Sequence, residues 1–171
     1  MQLTPAAKRA IERTIATQKP SATAEIWHPA DTNVPQQQAY RLAAEGKVME
    51  IGFGGQAGGG KTDLLLGLAG THYRRSRIMR REFPQLDGII ERGNQIYPAS
   101  FVGGIKKSWS FNGHTVMLRS MQHEKDWKKY QGQPIDFLGI DEAAEFSESM
   151  VRNVTGWVRS SAEQHTLVVY T

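Results

Sequence analysis

The sequence predicts an α/β fold with a mainly parallel sheet flanked by helices, plus one β-hairpin. Three observations predict it. Short apolar strands alternate with helical stretches along the chain, the pattern that builds parallel sheets. One of these strands, residues 48–53, runs straight into a glycine-rich turn and then a helical stretch. Another, Phe137–Ile140, ends in two adjacent acids, Asp141 and Glu142.

The chain has 171 residues, enough for one well-packed domain and too few for two ordinary ones. Hydrophobic residues make up 39%, and no apolar run approaches the roughly 20 residues that span a bilayer, so no membrane partner is expected. The start, Met1 to Pro5, lacks the basic stretch and apolar core of a secretory signal. The absence of cysteine excludes disulfides and cysteine-ligated metal sites and fits a reducing cytoplasm. The five histidines show no ligand spacing. Net charge is +4, a mild basic excess that suits a nucleic-acid partner without demanding one. Its distribution is more telling. Arg74, Arg75, Arg77, Arg80 and Arg81 cluster without an intervening acid, and Lys125, Lys128 and Lys129 lie near Trp127 and Tyr130. Solvated surface is the usual fate of a charge run, yet the guanidinium fork also matches phosphate oxygens.

Taken in order, residues 5–18 read as a short amphipathic helix with Ala7, Ile11 and Ile15 on one face. Residues 19–35 are rich in proline and small polar residues and read as an extended arm. The chain therefore divides into an N-terminal helix and arm, 1–34, and a core, 35–171. Residues 36–45 look helical and stop at Gly46. After the strand at 48–53 and the glycine turn, a helix is expected from Lys61 through Leu68, ended by Gly70. Ile78 and Met79 make a short strand flanked by arginines, and Pro84 opens a helix towards Ile96. Residues 108–118 alternate around Asn112-Gly113, a strong hairpin signal, with Trp109 expected in the core. Residues 147–160 read as a helix and 166–170 as a final strand. A parallel strand normally feeds a loop and helix, so a stop directly after it reads as truncation.

The glycine turn carries chemistry. Gly55, Gln56, Ala57, Gly58, Gly59, Gly60, Lys61 and Thr62 form a Walker A pattern. Glycines let the backbone fold around a phosphate with its amides pointing inward, and the helix N-terminus beyond them favours the same anion. Lys61 would reach the β- and γ-phosphates of ATP, and the Thr62 hydroxyl would ligate Mg²⁺. Asp63, next in the chain, completes the candidate nucleotide-binding set. Adjacent acids at a strand end could simply open the next helix. Beside a Walker A motif they read instead as Walker B: Asp141 for the magnesium shell, Glu142 to polarise the attacking water. Catalysis would come from positioning and charge stabilisation, Lys61 and Glu142 acting directly.

The segment from Gly54 to Leu68 resembles the P-loop segment of phage and prophage terminase large subunits. Matching stretches come in the same order: Arg77 to Leu86, Ile90 to Arg92, Lys129 to Gly132, Ile140 to Phe146 and Trp157 to Ser160. They cover roughly residues 25–171, and the Arg80-Arg81-Glu82-Phe83-Pro84-Gln85-Leu86 stretch is the discriminating one. The resemblance implies a P-loop NTPase fold of the ASCE, RecA-like type. It implies Mg²⁺-dependent ATP hydrolysis that drives double-stranded DNA into a procapsid, in the cytoplasm of an infected or lysogenic bacterium. It also implies a ring of copies, with a portal and a small terminase subunit as partners. Gln38, in the stretch from Pro35, is implied as the residue that reads adenine. Thr171 is implied as the first residue of a coupling motif. The family's nuclease domain has no counterpart in this sequence. One departure leaves the arginine finger open: Gln131-Gly132 stands where many relatives have Arg-Gly, and Gln56 where an arginine is common. Arg80, Arg81, Arg152 and Arg159 are the candidates. Two other readings stay open, a helicase-like DNA-dependent ATPase and a catalytically weak nucleotide-binding prophage remnant.

Overall fold

A computed structural model describes residues 26–56, 58–160 and 164–171. The expected helix at 5–18, the first part of the arm and Ala57 lie outside the described residues. The described elements are α1 (Val34–Ala44), β1 (Glu50–Gly52), α2 (Lys61–Thr71), β2 (Arg75–Arg80), α3 (Asp87–Ile96), β3 (Ser108–Phe111), β4 (His114–Ser120), β5 (Phe137–Ile140), α4 (Glu148–Thr155) and β6 (Leu167–Tyr170). Short 3₁₀ turns precede α3, precede β5 and come after it. Among the described residues no helix is long and apolar enough to cross a membrane.

The strands form one sheet in the order β1-β6-β5-β2-β4-β3. Every neighbouring pair is parallel except β3 with β4, which is the hairpin. Asn112 and Gly113 turn it at φ 47° and 82°, the two positive torsions a tight hairpin turn requires. The sheet is covered on both faces. Leu64, Leu65, Leu68, Ile78, Trp109 and Phe137 pack into one core and Met79, Leu138, Ile140, Met150 and Val154 into the other. β5 alternates between the two cores and is buried throughout, which is why it reads as an unbroken apolar run.

Four expectations are corrected. First, α2 is not ended by Gly70 but continues through it, stopping one residue later at Thr71. Gly67 lies against the Trp27 ring, and a Cβ at Gly70 would sit 2.5 Å from Tyr97 Cε1. These glycines permit close packing, and their helix-breaking tendency is outweighed by it. Second, Ile26 and Trp27 pack against the core, and Trp27 meets Tyr40 edge-on at 5.8 Å, so this end of the arm is docked. Third, β2 includes its arginines: Arg77 is fully buried, its guanidinium 4.7 Å over the Tyr130 ring and bonded to Gln133 at 3.2 Å. Fourth, α4 stops at Thr155 with Gly156 as its cap, and the chain then extends to bridge Ile135 through Val158. Smaller shifts of boundary affect α1, β1 and β6.

Trp109 is indeed a core residue, fully buried, its indole donating to Asn94 at 2.8 Å. Its ring presses on Gly93 of α3, closer than any Cβ could tolerate. Gly93→Ala should therefore destabilise the fold by about 1–3 kcal/mol through overpacking, although alanine is the better helix former. Urea unfolding monitored by tryptophan fluorescence measures it.

Candidate functional site

The site forms at the C-terminal ends of β1, β5, β6 and β2, where open parallel sheets present their ligand crevice. β6 lies between β1 and β5, with Val169 opposite both Ile51 and Gly139. The glycine turn after β1 and the acids after β5 thus belong to non-adjacent strands and must converge across β6.

They do converge. A cleft of about 640 Å³ is lined by Gly58, Gly59, Gly60, Lys61, Thr62, Asp63 and Glu142. Lys61 Nζ donates to the Gly55 carbonyl at 3.2 Å and stands 4.0 Å from Glu142 Oε1. Gly60, the residue before α2, has φ 79°, a left-handed torsion suited to glycine. A Cβ there would also strike Gln36 Nε2 at 2.5 Å.

Two residues ahead of the turn hold it. Gln36, 3% exposed, donates its amide to Gly60 O at 2.7 Å, and Asn33 donates to Gly59 O at 3.2 Å. Asn33 also caps α1 by accepting from Gln36 N. Sequence reasoning missed this clamp, although Asn33 with Gln36 three residues later is a capping-box spacing that could have signalled it. Gln38 lies elsewhere, in a cleft of about 350 Å³ with Pro35, Leu42, Ile51 and Phe53 that runs to Gly54 at the start of the turn. Asp63, on the cleft wall, is engaged by α3: both its oxygens accept from Arg92, at 2.8 and 2.9 Å. This hydrogen bond is the main cause that raises the Arg92 pKa.

At the end of β5, Asp141 is 1% exposed. Its Oδ1 accepts the Thr171 hydroxyl at 2.7 Å and its Oδ2 accepts Arg80 Nε at 2.8 Å. Arg80 NH2 stands 3.6 Å from Glu142 Oε1. Glu142 takes the left-handed conformation, φ 53° and ψ 56°. A non-glycine residue there costs of order 1–3 kcal/mol and tends to occur at functional sites. The remaining candidate arginines do not reach this place. Arg81 points to Met150 Sδ in the second core, Arg152 pairs with Glu148 on its own helix, and Arg159 lies 4.9 Å over the Trp157 ring.

The donor set suits a hard divalent cation. A nearly buried carboxylate that already holds a guanidinium and a hydroxyl is suited to positive charge, and Thr62 lies on the wall of the cleft that Glu142 also lines. A glycine turn between parallel strand and helix, with paired acids delivered from beyond an intervening strand, is the arrangement of a P-loop fold.

Neither models of known protein families nor curated proteins match the sequence. Solved structures do match. The large terminase of a thermophilic bacteriophage superposes with a TM-score of 0.58 at 15% identity, over 84% of this chain and 39% of that one. The same phage protein in complex with ADP, in another crystal form, gives 0.53 at 17% identity, over 75% and 34%. The chain thus spans well under half the length of these structures, and the likeness is one of fold.

The clamp and the Asp63–Arg92 pair can be ranked. Gln36→Ala removes one of two bonds to the Gly60 carbonyl, which keeps that from Leu64 N at 2.9 Å, and should cost about 0.5–1.5 kcal/mol in urea unfolding. The Arg92 pair is partly exposed, and Arg92→Ala should cost about 0–1 kcal/mol.

Proposed function

We propose that this chain binds and hydrolyses ATP with Mg²⁺, as the ATPase part of a motor that moves double-stranded viral DNA into a procapsid. The observation that carries the reading is the approach of Lys61 to Glu142, 4.0 Å, at the mouth of the glycine-lined cleft. The phosphates rest on the turn from Gly55 to Thr62, with Lys61 leaving the Gly55 carbonyl for their oxygens. Thr62 and Asp141 would hold magnesium, which would supply charge neutralisation at the phosphates. Glu142 polarises the attacking water, and its left-handed backbone aims the carboxylate at the cleft rather than along the strand. Gln38 reads adenine from beside the start of the turn.

The likeness to a phage large terminase, one structure of which holds ADP, supports the nucleotide and packaging readings. Basic residues around the second core support a polyanionic partner. Burial, aided by the neighbouring charges of Arg119 and Arg75, lowers the Arg77 pKa to about 10. Its Nε and NH1 have no hydrogen-bond partner among the described residues. Among those residues, none of Arg75, Arg77, Arg119 and Lys128 forms an ion pair, and Lys128 lies over the Trp127 ring. Arg77 is shut from solvent, but the exposed charges of Arg75 and Lys128 suit a phosphate backbone. Thr171, bonded to Asp141, couples the site to the end of β6. By the same resemblance the active form is a ring of copies in the bacterial cytoplasm, meeting a portal and a small terminase subunit.

ATP turnover measured across protein concentration, with and without double-stranded DNA, tests the reading. The expected result is turnover that rises with both, as an arginine supplied by a neighbour accelerates related NTPases by about 10³–10⁵. Fast turnover by a dilute monomer without DNA would sink the ring-motor reading. Lys61→Ala should lose nucleotide binding. Glu142→Gln should keep binding and lose about 10²–10⁴-fold in turnover, and a smaller loss would remove Glu142 from the chemistry.

A further inference from the structure

We propose that Arg80 is a positioning residue acting in cis: it occupies one oxygen of the Asp141 carboxylate, and so competes with the divalent metal for that carboxylate. The inference rests on the assignment of Asp141 to metal binding. It makes Arg80 a fixed part of its own site rather than a candidate finger for a neighbour's nucleotide.

Register fixes the contact. Met79 pairs with Ile140 across parallel β2 and β5, and the next residue of each strand is Arg80 and Asp141. Their meeting is a cross-strand pair at the end of the sheet, with Asp141 N also donating to Met79 O at 2.9 Å. No neighbouring chain is needed.

Charge gives the contact its purpose. Asp141 is 1% exposed, and a carboxylate so placed demands hydrogen bonds and an opposite charge. Thr171 provides a bond without charge. Lys61 stands next to Glu142 rather than Asp141. Among the described residues, Arg80 is the cation within 4.0 Å of Asp141. The remaining contacts of its guanidinium are long, 3.6 Å to Glu142 and 3.5 Å to the Gln85 carbonyl. Its side chain is 22% exposed. Arg80 is therefore bound firmly at one point and loosely elsewhere, which lets it yield Asp141 without unfolding its surroundings. A divalent cation arriving at that carboxylate meets a like charge a few ångströms away and must displace or deflect it. Arg80 thereby keeps the acids neutralised in the absence of metal and sets how much metal is needed to load the site.

The test uses Mn²⁺ alone, monitored by its paramagnetic resonance signal, so that it is independent of nucleotide. Arg80→Gln, which keeps a hydrogen-bonding side chain without the charge, should bind Mn²⁺ about tenfold tighter than the unaltered protein. Arg80→Lys, which keeps the charge, should stay within about threefold of the unaltered protein. The gain should be the same at every protein concentration, because the contact lies within one chain. It should vanish in the double variant with Asp141→Asn. Far-ultraviolet circular dichroism checks that each variant is folded. Unchanged or weaker Mn²⁺ binding by folded Arg80→Gln overturns the proposal. So does a gain that disappears on dilution, or one that survives Asp141→Asn. Loss of ATP binding with the Mn²⁺ shift intact would instead count against the nucleotide reading.

Discussion

The structure of the site depends on one constraint, the burial of the Asp141 carboxylate at the end of the central strand. A charge at 1% exposure cannot be left to solvent. Its two partners come from the strands on either side, Thr171 directly after β6 and Arg80 at the end of β2. The order β6-β5-β2 is therefore more than a topological label. Shifting either flanking strand by one residue would turn its partner to the opposite face, leaving an unpaired carboxylate in a dry place.

The second requirement is that the glycine turn reach this carboxylate's neighbourhood although β1 is not next to β5. The turn crosses the end of β6, and backbone bonds tie the crossing together. Phe53 N donates to Tyr170 O at 2.8 Å, Thr171 N to Ile140 O at 3.0 Å and Ala143 N to Thr171 O at 2.8 Å. From the other side, Asn33 and Gln36 hold the carbonyls of Gly59 and Gly60. A chain segment with so many glycines would otherwise lose much conformational entropy on ordering. Clamping its carbonyls from Asn33 and Gln36 orders the turn, which also closes on itself through Gly59 N donating to Gln56 O at 3.3 Å.

The local sequence made the candidate site legible and left most of its support unread. Lys61, Thr62, Asp141 and Glu142 were readable because the spacing from strand to glycine turn to helix, and from apolar strand to acid, is set within a few residues. The hairpin was readable because Asn112-Gly113 supplies the torsions that its turn requires. Arg77 was not, since a buried arginine depends on Tyr130 and Gln133, both distant in sequence. The clamp, the continuation of α2 through Gly67 and Gly70, and the docking of Trp27 all rest on contacts between elements far apart along the chain. Arg80 was visible as an arginine, but its partner could be known only from the register of β2 against β5.

Thr171 joins the two requirements. Its backbone bonds on both sides of the acid pair, to Ile140 and Ala143, while its hydroxyl bonds the carboxylate itself. A change in what Asp141 binds alters the partner of that hydroxyl and is felt at the end of β6. The strand inserted between turn and acids thus brings a third residue to the acid pair. That residue, unlike Lys61 or Glu142, is connected through β6 to β1 as well as to β5. A site built only on adjacent strands would have no such member. The insertion of β6 puts the phosphate turn, the acids and Thr171 in one hydrogen-bonded unit, which is the mechanical condition for the proposed motor to convert a change at the nucleotide into movement elsewhere.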